Sequence, residues 1–177
     1  MKKVLALLLI LVLTLSLACC TKKIEDNTDI ATEDEVEISR KSDSKIYKIG
    51  ETWTVPDLLS FTITGVKEVQ PQPEYNEGLS PEAVYLIDYK YENLGFEDDI
   101  LEGLYMFVSG NVVDSKNQEG YSYYTTDEIK FPKTIKVGES CEAQDVVALD
   151  NKGKFMITMR EYDSMFNEYV ATFEIDV

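Results

Sequence analysis

Three stretches of the chain alternate between apolar and polar positions. "SFTITGVKEV" sets Phe61, Ile63 and Gly65 on one face and Thr62, Thr64 and Val66 on the other. "VYLIDYKYEN" sets Tyr85, Ile87, Tyr89 and Tyr91 opposite Asp88 and Lys90, and "YVATFEIDV" aligns Tyr169, Ala171, Phe173, Ile175 and Val177 against Thr172, Glu174 and Asp176. Successive side chains of a strand point to opposite faces, so each stretch predicts a half-buried strand, and β-branched and aromatic residues suit that surface. Between such stretches stand "PQPEYNEG", "SGN", "SKNQEG" and "DNKG". The last suits a type I turn closing with Gly153 in the left-handed conformation. About seven strands at this spacing, without a strong helical stretch, predict an all-β fold of two packed antiparallel sheets. Residues 45–177 suffice for one core and are too few for two.

The amino-terminal region follows a different pattern. Lys2 and Lys3 precede "VLALLLILVLTLSLA" over residues 4–18. A span needs roughly 20 apolar residues to cross ~30 Å of hydrocarbon, so this run predicts an export signal rather than a permanent helix. "LSLAC" resembles the lipobox of bacterial lipoproteins, in which a cysteine at the first mature position receives a diacylglyceryl thioether through its nucleophilic thiolate. Cys19 follows the small Ala18, whereas Cys20 would follow Cys19, so lipid attachment is assigned to Cys19. Two acyl chains hold a protein on a bilayer where one would be marginal. Export also permits a Cys20–Cys141 disulfide, the other reading of Cys141 being a small buried apolar residue. Residues 20–44 carry eight acidic and four basic side chains, and every Trp, Tyr and Phe lies beyond them. So charged a segment cannot bury enough surface to offset ordering entropy, and it reads as a disordered tether. The expected organisation is a signal over 1–18, a lipidated tether over 19–44 and a domain over 45–177, on the extracytoplasmic face of a bacterial cell membrane.

A resemblance adds to this. "IYKIGETWTV", "AVYLIDYKYENLG", "IKVGESCEAQDVVAL" and "YVATFEIDV" resemble an immunoglobulin-like domain family of bacterial lipoproteins, similar in fold to secreted immunoprotective antigens. The matching features are Gly50-Glu51 opening the first strand, Glu92-Asn93 with Gly95 ending a long one, and Gly138-Glu139 opening a late one. The resemblance implies an immunoglobulin-like sandwich and an envelope address, and it brings no catalytic residues. The chain departs from it in "QPQPEYNEGLSPEA" and "YSYYTT".

Candidate chemistry is sparse. There is no histidine, which removes Ser-His-Asp and Cys-His catalysis and the usual zinc sets based on histidine. "GFEDDILEG" lacks the lysine and spacing of a phosphate loop. The expectation is a non-catalytic chain without cofactor. Glu97, Asp98, Asp99 and Glu102 offer the hard oxygen ligands that calcium selects, with a solvated acidic loop as the plainer reading; "DSKNQEG" fails the EF-hand pattern at Lys116. With 33 acids against 17 bases, net charge −16, the surface repels nucleic acid and would draw in a cationic protein or peptide. The loop over residues 70–83 is long for a strand connection, stiffened by Pro71, Pro73 and Pro81, and displays Tyr75; "GYSYYTT" adds Tyr121, Tyr123 and Tyr124. Tyrosine gives large contact area at modest entropy cost, so these four are the candidate partner-binding residues. The alternative places Tyr121 and Tyr123 on one strand face against the sandwich. A lipid-anchored binding module is the leading reading, with a structural or regulatory envelope spacer or a calcium-stabilised surface domain as alternatives.

Overall fold

The computed structural model describes residues 40–97 and 102–177; Cys19, Cys20, Asp98 and Asp99 lie outside the described residues. Nine strands follow in order: β1 (Arg40–Tyr47), β2 (Thr52–Val55), β3 (Leu59–Val69), β4 (Ala83–Asn93), β5 (Val112–Asp114), β6 (Tyr121–Ser122), β7 (Ser140–Leu149), β8 (Phe155–Tyr162) and β9 (Glu168–Ile175). A 3-10 turn, Pro73–Tyr75, interrupts the β3–β4 connection. Sheet A has the order β1-β9-β8-β5 and sheet B the order β2-β3-β4-β7-β6. The expected sandwich is present, with two short strands, β5 and β6, beyond the seven anticipated. One pair departs from the antiparallel pattern: β1 runs parallel to β9. First and last strands are free to pair this way because no hairpin joins them.

β1 begins at Arg40, inside the segment read as tether. Local composition is overridden there by pairing: Arg40 lies in register with Glu168 of β9, and their side chains form an ion pair at 2.9 Å.

The core fills as the alternation predicts along β4 and over most of β9, but Val177, which the pattern placed on the same face, lies past the end of β9 at Ile175 and is exposed. Tyr85, Ile87, Tyr89 and Tyr91 are buried, as are Ala171, Phe173 and Ile175. The sheets meet through aromatic contacts, Phe61 edge-on to Phe173 at 5.5 Å and Tyr85 against Phe155 at 5.1 Å, a geometry that rings favour beyond their area burial. Two of the buried phenols reach backbone: Tyr89 Oη donates to Met106 O, and Tyr91 Oη accepts from Lys133 N at 3.1 Å while donating to Lys133 O. Burial pushes both phenols well above the usual tyrosine range. Cys141 is a buried thiol in register with Tyr91.

Along β3 the expected face assignment fails midway. The register with β4 slips between Ile63 and Gly65, so Val66 pairs with Ile87 and Gly65 with Asp88. One extra residue in a strand reverses every later side chain. Val66 therefore packs on the core, and Gly65 turns outward, where a Cβ would press on Asp88 Oδ2 at 3.2 Å.

The motifs behind the family resemblance are turn devices. Gly50 and Gly138 have φ +84° and +83°, the left-handed conformation that glycine adopts at no steric cost. Glu51 N donates to Lys48 O and Glu51 Oε2 accepts from Lys48 N; Glu139 and Lys136 repeat both bonds. Asn93, fully buried, accepts from Gly95 N and Phe96 N and donates to Phe96 O and Ile135 O.

Candidate interaction surface

Sheet B carries a second, smaller apolar cluster on its outer side. Val84, Val146 and Ala148 of β4 and β7 are covered there by Tyr123, with Tyr121, Val69, Leu86 and Ile129 packed around them. The sequence marks this: "AVYLI" is apolar at both alternating sets of positions, which signals a strand buried on two faces. Tyr123 is thus a packing residue, and the expectation that it offers contact surface is corrected; its neighbour Tyr124 points the other way. Tyr121 is half-buried, its phenol donating to Asp150 at 3.1 Å; burial and that bond push its pKa up to about 12.

Tyr75 and Tyr124, 49 positions apart in the chain, are brought together. Their ring centroids lie 5.9 Å apart at 51°, and their exposures are 55% and 61%. Two amides hold the pair. Asn76, buried directly after Tyr75, donates from Nδ2 to Gln72 O at 2.9 Å and Tyr124 O at 3.0 Å, and accepts from Tyr124 N at 2.9 Å. Gln72 Oε1 accepts from Thr126 N at 2.8 Å and Thr126 Oγ1 at 3.0 Å. Pro73 opens the 3-10 turn at a position where its missing N–H costs nothing. The rings therefore sit on a fixed base and their outer faces meet solvent.

The charged residues nearest the pair in sequence are acidic. Glu74 and Glu77 are exposed on the Tyr75 loop, and Asp127 and Glu128 on the segment after Tyr124. Tyrosine faces attract cations within about 6 Å of the ring centroid, and neighbouring carboxylates reinforce the attraction. The surface suits a lysine or arginine side chain.

Other candidates are less organised. A depression of about 250 Å³ on the outer face of sheet B is lined by Thr64, Asp88, Lys130 and Glu142. Its polar groups already bond one another, Gln144 Nε2 to Asp88 Oδ1 at 2.6 Å and Lys130 to Glu142 at 3.4 Å. Of the acidic run, Glu97 and Glu102 are described; among the described residues no group of His, Cys, Asp and Glu comes together as a metal site. Asp114 in the failed EF-hand stretch spends its carboxylate on Lys116 N, Gln118 N and Asn151 Nδ2.

No protein-family model matches the chain, and no curated protein matches it. Among solved structures, the fold is similar to that of a candidate lipoprotein (ycdA) from Bacillus subtilis subsp. subtilis str. 168, with TM-score 0.51 and 17% identity over 68% of this chain. The likeness covers 37% of that protein, so this chain spans little more than a third of its length. At that identity the likeness shows the fold.

Proposed function

We propose that the protein is a lipid-anchored, non-catalytic binding module. Cys19 carries the acyl chains, and the sandwich, on the extracytoplasmic face, captures a cationic segment of a partner protein or peptide on Tyr75 and Tyr124. The observation that carries the reading is the exposed ring pair, clamped by Asn76 and Gln72, with the exposed acids Glu74, Glu77, Asp127 and Glu128 close by in sequence. The description of the Bacillus subtilis protein of similar fold as a candidate lipoprotein supports the address.

Two experiments test the two halves. Radioactive fatty acid should label the wild type and leave Cys19→Ala unlabelled; labelling lost on Cys20→Ala instead moves the site by one residue. For recognition, a photo-crosslinker at position 75 in intact cells should give one saturable adduct. A crosslinker at the exposed Lys116 should give none, and added salt should weaken the position-75 adduct as it screens the charges. Equal adducts at both positions, or none at position 75, would leave the spacer reading.

A further inference from the structure

We propose that the β8–β9 hairpin loop is a membrane-contacting tip that seats the sandwich on its bilayer at the end where the anchored chain arrives. The inference rests on the lipid-anchor half of the proposed function and is independent of the tyrosine pair.

The loop spans residues 163–167, "DSMFN". Its polar groups turn inward onto Asp163. Asp163 Oδ1 accepts from Met165 N and Asn167 N, each at 2.9 Å, and Oδ2 accepts from Asn167 Nδ2 at 2.8 Å and Tyr169 Oη at 3.1 Å. Phe166 N donates to Asp163 O, and Asp163 N to Asn167 O. Beside the small Ser164, what faces outward is large and apolar: Met165 is 72% exposed and Phe166 62%, with Tyr162 at the base of the loop 47% exposed. Phe166 also holds φ +60°, a conformation uncommon for a bulky side chain. A hairpin tip needs only small or polar residues, so Met and Phe here oppose both hydration and backbone preference. Strain of this kind clusters at functional sites. The internally bonded N–H groups of Asp163, Met165, Phe166 and Asn167 reduce the cost of contact with lipid.

The occupant follows from where the chain enters. β1 runs parallel to β9, and Arg40 pairs with Glu168, the residue directly after the loop. The polypeptide coming from Cys19 through residues 20–39 therefore joins sheet A at the end from which Met165 and Phe166 project. A tether this short raises the local concentration of the tip at the bilayer to the millimolar range, so a weak apolar contact becomes populated without new affinity. The flanks have interfacial chemistry. Arg40 and Arg160 share Glu168 yet keep half their side-chain surface in water, and Lys41 lies over the Tyr169 ring at 5.1 Å. Arginine, lysine and tyrosine around an apolar point are the residues that settle at headgroup depth. They stand out on a chain of net charge −16. The tyrosine pair belongs to the other sheet and stays open to a partner in this arrangement.

The test supplies the anchor chemically, so failure of acylation in cells leaves it intact. The mature chain from Cys19, carrying Cys20→Ser and Phe166→Trp, is coupled through Cys19 to a maleimide lipid in phosphatidylcholine vesicles. Trp53 is buried and gives a constant background. Vesicles with bromine in the acyl chains should quench emission from position 166 at least about twofold more than emission from Phe131→Trp, an exposed site elsewhere. Met165→Ser in the same background should reduce that quenching by about half, as apolar area leaves the contact. Equal quenching at 166 and 131, or none at 166, overturns the proposal. So does a blue shift at 166 that grows with protein density without bromine quenching, which would assign the tip to a second copy of the chain.

Discussion

Of the loops that hold aromatic side chains in water, two are built in opposite ways. The Tyr75 loop is clamped from a distance. Asn76 and Gln72 bond to residues 124–126, and beneath Tyr124 the segment is nailed down by Tyr123 in the outer cluster of sheet B. The β8–β9 loop is clamped by itself, through one aspartate and its four nearest partners. The first arrangement ties a recognition surface to the integrity of the fold. The second isolates an apolar tip, which can be rewritten without disturbing the sheets.

The largest expected effect breaks the long-range clamp. Asn76→Ala removes three hydrogen bonds and leaves Tyr124 N and O without that partner. It should cost about 2–3 kcal/mol in urea unfolding, because lost partners of buried polar groups cost more than a typical bond. A loss below about 0.5 kcal/mol would mean that the two loops are not held differently.

Next comes a pH effect at the hairpin end. Glu161 follows Phe155, Ile157 and Met159 in the inward-facing alternation of β8, and burial pushes its carboxyl up to about 7 from 4.5. The folded pKa exceeds the unfolded one, so its contribution is fully present below about pH 4.5 and is lost as pH rises through about 7. Allowing for its remaining solvent contact, the loss should be about 1–2 kcal/mol, and Glu161→Gln should flatten the profile measured by denaturation across that window. Asp163 has the opposite sign. The Asn167 side chain foremost, then backbone N–H groups, hold its carboxyl below the usual range. Its support for the loop is present above about 3.8 and lost as pH falls below that.

Smaller still, Phe166→Asn should raise stability by about 0.5–1 kcal/mol, since asparagine tolerates a left-handed backbone better than phenylalanine. A thermal midpoint that falls instead would show that the ring contributes packing to the fold. Smallest of all, Tyr75→Ala should leave stability within about 0.5 kcal/mol of the wild type, as exposed substitutions do. A larger cost would make Tyr75 a structural residue rather than a contact surface.

Some of this was legible in the chain and some was not. The β4 alternation correctly placed Tyr85, Ile87, Tyr89 and Tyr91 in the core, because a strand's period of two is local and unbroken there. In β3 the same reading reversed after Ile63, because a bulge adds one residue and only the partner strand reveals it. Among Tyr75, Tyr121, Tyr123 and Tyr124 the sequence leaves both contact and packing open; Tyr121 and Tyr123 pack, because the Val84–Val146–Ala148 cluster lies beneath them, while Tyr75 and Tyr124 stay exposed. The hairpin tip was missed, although Met and Phe between Asp163 and Asn167, where a turn calls for polar residues, were signal enough.

Sequence alone determined the alternation, the turn glycines and the two Gly-Glu devices, since these depend on neighbours a few positions apart. It also carries the apolar run before Cys19 and the charge of the segment after it. Only the tertiary structure decided that β1 lies parallel to β9, which puts the Met165–Phe166 loop at the end of sheet A where β1 begins at Arg40, and that Asn76 reaches Tyr124. Those pairings join residues tens of positions apart, and their energy is set by the packing of whole sheets rather than by any local preference.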